Sequence, residues 1–431
     1  MTSRHGVRRI TLAAALAGAL PTLVYAIWSP ALMVDDWSFA AGARFHQWGT
    51  FHANAGRPVA GGWFLLDFLV FGAHPVAHAV VLALLNGAAG GLLWLTARTF
   101  LPQRIALLAT AAWAALANRG STRLWPATAP SVLVLVALLA VTLLARHGDP
   151  SARRHAAVVA IAATSVLTYE GAAGLAVAVV VLSAWRWSGR ARLAALTGGG
   201  TVLATVAAWG LAQSPKTGAT EAFGHGAQWL SAQVGVGILP ATLAPVGAAL
   251  LGFVVWSAAA TALPSFRAGA EERAALIGAA IAMLGVAPFL AVGFPVATDG
   301  IFDRANLYAD VGTALVIAAA LAKIWRLPLR RLGPVVAVVA LAVLAVQNAI
   351  DVRAFHRAGV DGRALLARVD RLPFETRTKG PLVLPDLPNR QGVSMFIEDY
   401  DISSALALRY DTGAPYPDAT MALVASRHRA R

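Results

Sequence analysis

Hydrophobic residues fall along this chain in long, nearly unbroken blocks, separated by short polar or basic stretches. A membrane-crossing helix needs about 20 mostly apolar residues. Blocks near that length occupy 10–29, 76–97, 104–118, 129–145, 155–169, 171–187, 194–212, 241–262, 274–293, 308–325 and 333–350. The pattern predicts an all-α polytopic membrane protein with about 11 transmembrane helices. The first block follows Arg4, Arg8 and Arg9 and ends near Val24-Tyr25-Ala26, a signal-peptide-like profile. Its length and the spans that follow favour a retained anchor. Blocks 155–169 and 171–187 meet at Tyr169-Glu170-Gly171, and a turn at Gly171 keeps Glu170 out of mid-membrane. Segment 59–71 is apolar but carries Gly61, Gly62 and Asp67, so it reads as an interfacial helix.

Composition strengthens this reading. The 431 residues are 58% hydrophobic and only 13% charged, against roughly 25% charged in soluble domains. The net charge of +14 has a topological origin. With the N-terminus cytoplasmic and the spans alternating, the cytoplasmic segments collect Arg8, Arg9, Arg98, Arg104, Arg146, Arg190, Lys323 and Arg326, among others. The opposite loops are poor in lysine and arginine, as the positive-inside rule requires. The basic residues are scattered over many loops, which argues against a nucleic-acid partner. The expected location is a bacterial-type inner or plasma membrane, with residues 351–431 extracytoplasmic. The chain has no cysteine, which excludes disulfides, thiolate metal sites and a cysteine nucleophile.

Two parts are expected. Residues 1–350 form the transmembrane domain, with a first outside loop at 30–75 containing short helices. Residues 351–431 form a small extracytoplasmic α/β segment, in which Leu382-Val383-Leu384 and Ser394-Met395-Phe396-Ile397 look like short strands punctuated by Pro381, Pro385, Pro388 and Gly392.

Polar residues other than the topology signals gather on the outside loops. The most informative block is Met33-Val34-Asp35-Asp36-Trp37, followed by Gly56-Arg57-Pro58. One carboxylate of the pair could act as general base on a hydroxyl, or both could bind a divalent cation such as Mg or Mn. Asp35 and Asp36 could equally cap a helix that starts near Trp37. Arg57 presents a planar fork suited to phosphate, and Arg304 and Arg123 are further candidates. Glu170, Tyr169, Trp37, Trp125, His52 and Tyr308 are candidate substrate contacts, with salt bridging and interfacial anchoring as their structural counterparts. His74 and His78 stand at i, i+4, but no carboxylate completes a zinc motif. Gly198-Gly199-Gly200 lacks the lysine of a phosphate loop.

A first span that ends in an acidic pair, then a long outside loop with a Gly-Arg-Pro turn, resembles the polytopic GT-C glycosyltransferases. Trp125-Pro126, Tyr169-Glu170 and Arg304 to Tyr308 are similar to outside loops of many bacterial members. The resemblance covers residues 10–350 by layout. It implies sugar transfer from a polyprenyl-phosphate donor, on the extracytoplasmic face, to a polysaccharide, lipid or protein acceptor. It also implies a catalytic carboxylate in the first outside loop, at Asp36 or Asp35, with Asp36 favoured. The Asp-Glu pair of protein O-mannosyltransferase-like members is absent. The alternative is a multi-pass transporter or flippase of a lipid-linked or cell-envelope substrate, which would place polar groups near mid-membrane. The enzyme reading expects Asp36 or Asp35, Arg57, Glu170 and Arg304 to converge on one cavity.

Overall fold

The computed structural model describes residues 4–52, 57–116, 119–147, 150–212, 244–262, 269–291, 300–326, 332–373, 387–388, 390, 393–397 and 399–411. Each of the eleven apolar blocks contains a helix. These are α1 (Arg4–Ile27), α5 (Pro75–Phe100), α6 (Gln103–Ala115), α8 (Ala129–Arg146), α9 (Ala152–Thr168), α10 (Ala173–Trp185), α11 (Gly189–Ala212), α12 (Ala244–Ala262), α13 (Ala270–Ala291), α14 (Asn306–Arg326) and α15 (Gly333–Val369). Among the described residues, seven helices are long and apolar enough to cross a membrane: those beginning at His5, Pro75, Pro126, Gly189, Ala270, Asp303 and Gly333. Helices α6 and α10 each have 13 residues, about 20 Å at 1.5 Å per residue, which is short of the hydrocarbon core.

Shorter helices fill the connections: α2 (Asp36–Arg44), α3 (Gly49–His52), α4 (Pro58–Phe71), α7 (Gly120–Leu124) and α16 (Asp399–Tyr410). Pro58 and Pro75 stand at the first positions of α4 and α5, where the missing N–H costs nothing. Helix α4, with 14 residues, is also too short to span.

The core is contiguous through α5, α6, α8, α9, α10, α13 and α14, with Trp113 fully buried in it. Helices α13 and α14 approach closely because Gly312 carries no side chain. A Cβ there would lie 2.8 Å from the Ala282 Cα and closer still to backbone atoms of Gly278 and Ala282. Small residues at such crossings are what allow apolar helices to pack in lipid.

Sequence position misleads most in the last segment. Helix α15 continues for 37 residues to Val369, about 55 Å, so the expected 350/351 boundary falls inside one helix. Its second half does not stand apart. Val352, Phe355, Leu365 and Val369 share a core with Tyr25 of α1, with Met33 and Val34 of the α1–α2 turn, and with Met395, Phe396, Ile402 and Leu406. Residues 394–397, expected as a strand, are irregular, and Arg390 and Val393 form an isolated bridge. The second expected strand, 382–384, lies outside the described residues.

Candidate active site

The chain leaves α1 at Ile27 and must turn into α2 within eight residues. That turn is held from several sides. The Tyr25 hydroxyl accepts the Ala31 N–H at 3.0 Å. The Trp125 indole donates to the Met33 carbonyl at 3.0 Å. The Val34 N–H donates to the Met395 carbonyl at 2.9 Å. Val34 has φ +46°, a left-handed conformation that a β-branched residue adopts only at a cost of about 1–3 kcal/mol. The surrounding hydrogen bonds over-determine it, and its consequence is the direction in which the next residue points.

That residue is Asp35. It lines a cavity with Arg57, Thr128, Ser131, Tyr169 and Arg304, walled by Phe39, Ala60 and Phe64. The expected convergence is therefore present for Asp35, Arg57 and Arg304, with Glu170 joined through Arg57. The carboxylate that meets the cavity is Asp35, not the favoured Asp36. Asp36 is fully buried, and its Oδ2 accepts the Met33 N–H at 2.8 Å. Burial pushes the Asp36 carboxyl well above the ordinary range, the Met33 hydrogen bond lowers it less, and the charge of Asp35 raises it further. The acidic pair thus splits: one member closes the turn, the other faces the cavity. Asp36 is absent from the cavity lining, so the two carboxylates do not meet there. Among the described residues no group of three or more His, Asp or Glu side chains is arranged to hold a metal.

Asp35 has a partner from far along the chain. The Tyr400 hydroxyl donates to Asp35 Oδ1 at 2.6 Å, because α16 packs against α2.

Arg57 immediately precedes Pro58, and its Nε donates to Glu170 Oε2 at 2.6 Å. Its Nη2 donates to the other carboxylate oxygen, and the guanidinium lies over the Tyr169 ring at 4.9 Å. Burial alone would lower the Arg57 pKa; the hydrogen bonds and charge of Glu170 outweigh it and hold the group above its usual value. Nη1 makes no hydrogen bond among the described residues. Glu170 and Tyr169 sit at the break between α9 and α10, as the turn at Gly171 predicts. A Cβ on Gly171 would come within 2.7 Å of the Phe289 Cε2, so only glycine fits.

Arg304 lies in the 3₁₀ turn Gly300–Ala305 ahead of α14, with its guanidinium over the Trp125 ring at 5.3 Å. Its neighbour Asp303 accepts the Ser121 backbone N–H at 3.1 Å and the Ser121 hydroxyl, so it caps α7. Asp303 and Arg304 thus serve different elements.

Several expected contacts take other roles. Arg123 is buried and bonds the carbonyls of Trp113 and Ala114 at 3.1 and 2.9 Å, and the Asn348 side chain. Asn348 in turn donates to the Ala115 carbonyl at 2.6 Å. These groups satisfy the last carbonyls of α6, which have no partner within their own helix, so Arg123 is structural and not a phosphate ligand. Trp37 packs on Phe396 with ring centroids 6.0 Å apart and is not among the residues that line the cavity. Trp125 supports the Met33 turn and Arg304. Tyr308 is buried behind Tyr169, its hydroxyl donating to the Ser131 carbonyl at 3.0 Å. His52 ends α3, and its side chain lies outside the described residues. His78 has both ring nitrogens engaged, with Asp67 at 2.7 Å and the Gly72 carbonyl at 2.8 Å, so it is not free to ligate.

The cavity is about 90 Å³, below the roughly 300–1,000 Å³ of typical small-molecule sites. It matches a group of phosphate size. No family model, no curated protein and no solved structure matches this chain.

Proposed function

We propose that this chain is a membrane glycosyltransferase that moves a sugar from a polyprenyl-phosphate donor to an acceptor hydroxyl on the extracytoplasmic face of the membrane. One observation carries the reading: a single carboxylate, Asp35, shares a small cavity with two guanidinium groups, Arg57 and Arg304, beside apolar helices suited to a bilayer.

The chemistry needs few parts. Asp35 takes the proton from the acceptor hydroxyl as its oxygen attacks the anomeric carbon. The bond from that carbon to the phosphate oxygen breaks, and the phosphate leaves with the electron pair. The growing charge meets Arg304 and the open Nη1 edge of Arg57. Glu170 holds the Arg57 fork flat against Tyr169, so the group is oriented before the donor arrives. Tyr400 holds one oxygen of Asp35 and leaves the other for the acceptor. No soluble nucleotide-binding domain is required, because the lipid phosphate is already a good leaving group.

The test is transfer of labelled sugar from a panel of polyprenyl-phosphate mannose, arabinose, glucose and aminosugar donors by the purified full chain. Transfer that Asp35→Asn abolishes and Asp36→Asn preserves supports the reading. Equal activity of wild type and Asp35→Asn removes the base.

A further inference from the structure

We propose that a groove between Trp28 and α15, separate from the cavity of Asp35, binds the anionic phosphate headgroup of a membrane lipid. The groove has a volume of about 560 Å³ and is lined by Trp28, Arg353, His356, Arg357, Val360, Asp361 and Arg390. It shares no lining residue with the candidate active site.

The argument begins with one face of α15. Val339, Val346 and Ile350 are exposed and apolar. Their spacing of seven and then four residues marks a single stripe. In a membrane protein such a stripe faces acyl chains. Continued by three, four and three residues, the same stripe becomes Arg353, Arg357 and Val360. The lipid-facing surface thus runs directly into two guanidinium groups, at the height where hydrocarbon gives way to headgroups.

The groove walls suit that depth. Trp28 follows the end of α1, is 47% exposed, and stacks on His356 with ring centroids 4.4 Å apart and planes 9° apart. A tryptophan at a helix end is an interfacial anchor. The His356 Nδ1 is buried without a hydrogen-bond partner among the described residues. Arg390 is committed to Asp361 at 2.8 Å, so these two charges cancel. Among the described residues no carboxylate pairs with Arg353 or Arg357. Two guanidinium forks and an imidazole nitrogen that find no partner among the described residues suit the oxygens of a phosphate. The apolar stripe below them favours a phosphate that carries acyl chains over the free ion.

The absence of cysteine makes a direct test simple. A Val360→Cys chain carries one thiol, which takes an environment-sensitive dye at the groove. The full-length labelled protein in neutral detergent is titrated with dioleoylphosphatidylglycerol, dioleoylphosphatidylcholine or inorganic phosphate. The dye response is expected to saturate at roughly tenfold lower concentration of the anionic lipid than of the zwitterionic one, with no response to inorganic phosphate. Arg353→Gln with Arg357→Gln is expected to bring the anionic-lipid curve onto the zwitterionic one. Each single substitution is expected to cover part of that distance while elution and melting stay as in the parent. Equal response to the two lipids, an unchanged curve in the double variant, or saturation by inorganic phosphate overturns the proposal.

Discussion

The Tyr400 hydroxyl donates a hydrogen bond of 2.6 Å to Asp35 across 365 residues of sequence. The same C-terminal segment supplies the Met395 carbonyl that receives the Val34 N–H. The carboxylate at the cavity is therefore oriented by residues that no local pattern around Asp35 reveals. Removing the hydroxyl in Tyr400→Phe is expected to slow sugar transfer about tenfold, since a hydrogen bond to a charged group contributes about 1.5–3 kcal/mol. Folding should be unaffected, because Tyr400 is 44% exposed. Steady-state rates with melting curves on the same samples check both halves.

Asp35→Asn and Asp36→Asn should separate cleanly. A general base contributes roughly 10²–10⁴-fold, so Asp35→Asn is expected to lose at least about a hundredfold in kcat. Asp36→Asn keeps an oxygen to accept the Met33 N–H and is expected to stay within a few-fold of wild type. Comparable losses in both variants would contradict the division of roles.

Asp36 also predicts a pH effect on stability. Its carboxyl is held above the unfolded value of about 3.9, so between the two values the folded state binds more protons. Stability contributed by this group is then complete below the unfolded pKa and is lost as pH rises toward the folded one. Asp36→Asn removes that loss. The variant is expected to gain on wild type in melting temperature as pH rises above about 4. Parallel melting curves from acidic to neutral pH would contradict it.

The Arg57–Glu170 pair should behave as a coupled unit. Arg57→Lys retains charge but loses the fork, and is expected to weaken donor use at least about tenfold. Glu170→Ala leaves the half-buried guanidinium without its carboxylate and should lower the melting temperature by several degrees. The double substitution Arg57→Ala with Glu170→Ala is expected to cost less than the sum of the singles, by about 0.5–3 kcal/mol. Strict additivity in a melting cycle would show that the contact contributes nothing.

Arg123→Met tests a structural role. It strips the Ala114 carbonyl of its Arg123 donor and takes one of two donors from the Trp113 carbonyl, which keeps Arg119 at 2.6 Å; a polar group left without a partner costs about 1–3 kcal/mol. The expected result is poor folded yield and an early melt. Any protein that folds should keep the donor KM of wild type. A raised KM at unchanged stability would return Arg123 to the phosphate site.

Hydrophobic blocks and their basic borders sufficed to place the helices, because burial in lipid imposes one long apolar run per span and leaves little choice of secondary structure. They also marked Asp35, Arg57, Glu170 and Arg304 as unusual, since ionisable groups beside apolar runs are costly to keep. They counted α6, α9, α10 and α12 among about 11 spans, whereas seven helices among the described residues are long and apolar enough to cross a membrane, and these four run below or close to the bilayer thickness. Adjacent carboxylates look alike in one dimension. Only the turn after α1, with Val34 in a left-handed conformation and Met33 reaching back to Asp36, decides which of them meets the cavity. The same holds for the arginines. Arg123 and Arg304 are equally basic in the sequence, yet one closes the end of α6 and the other lines the site. Apolar periodicity is local and therefore legible residue by residue. Hydrogen-bond partnership across hundreds of residues is not, and it is that partnership which separates a charge that closes a turn from one that lines the cavity.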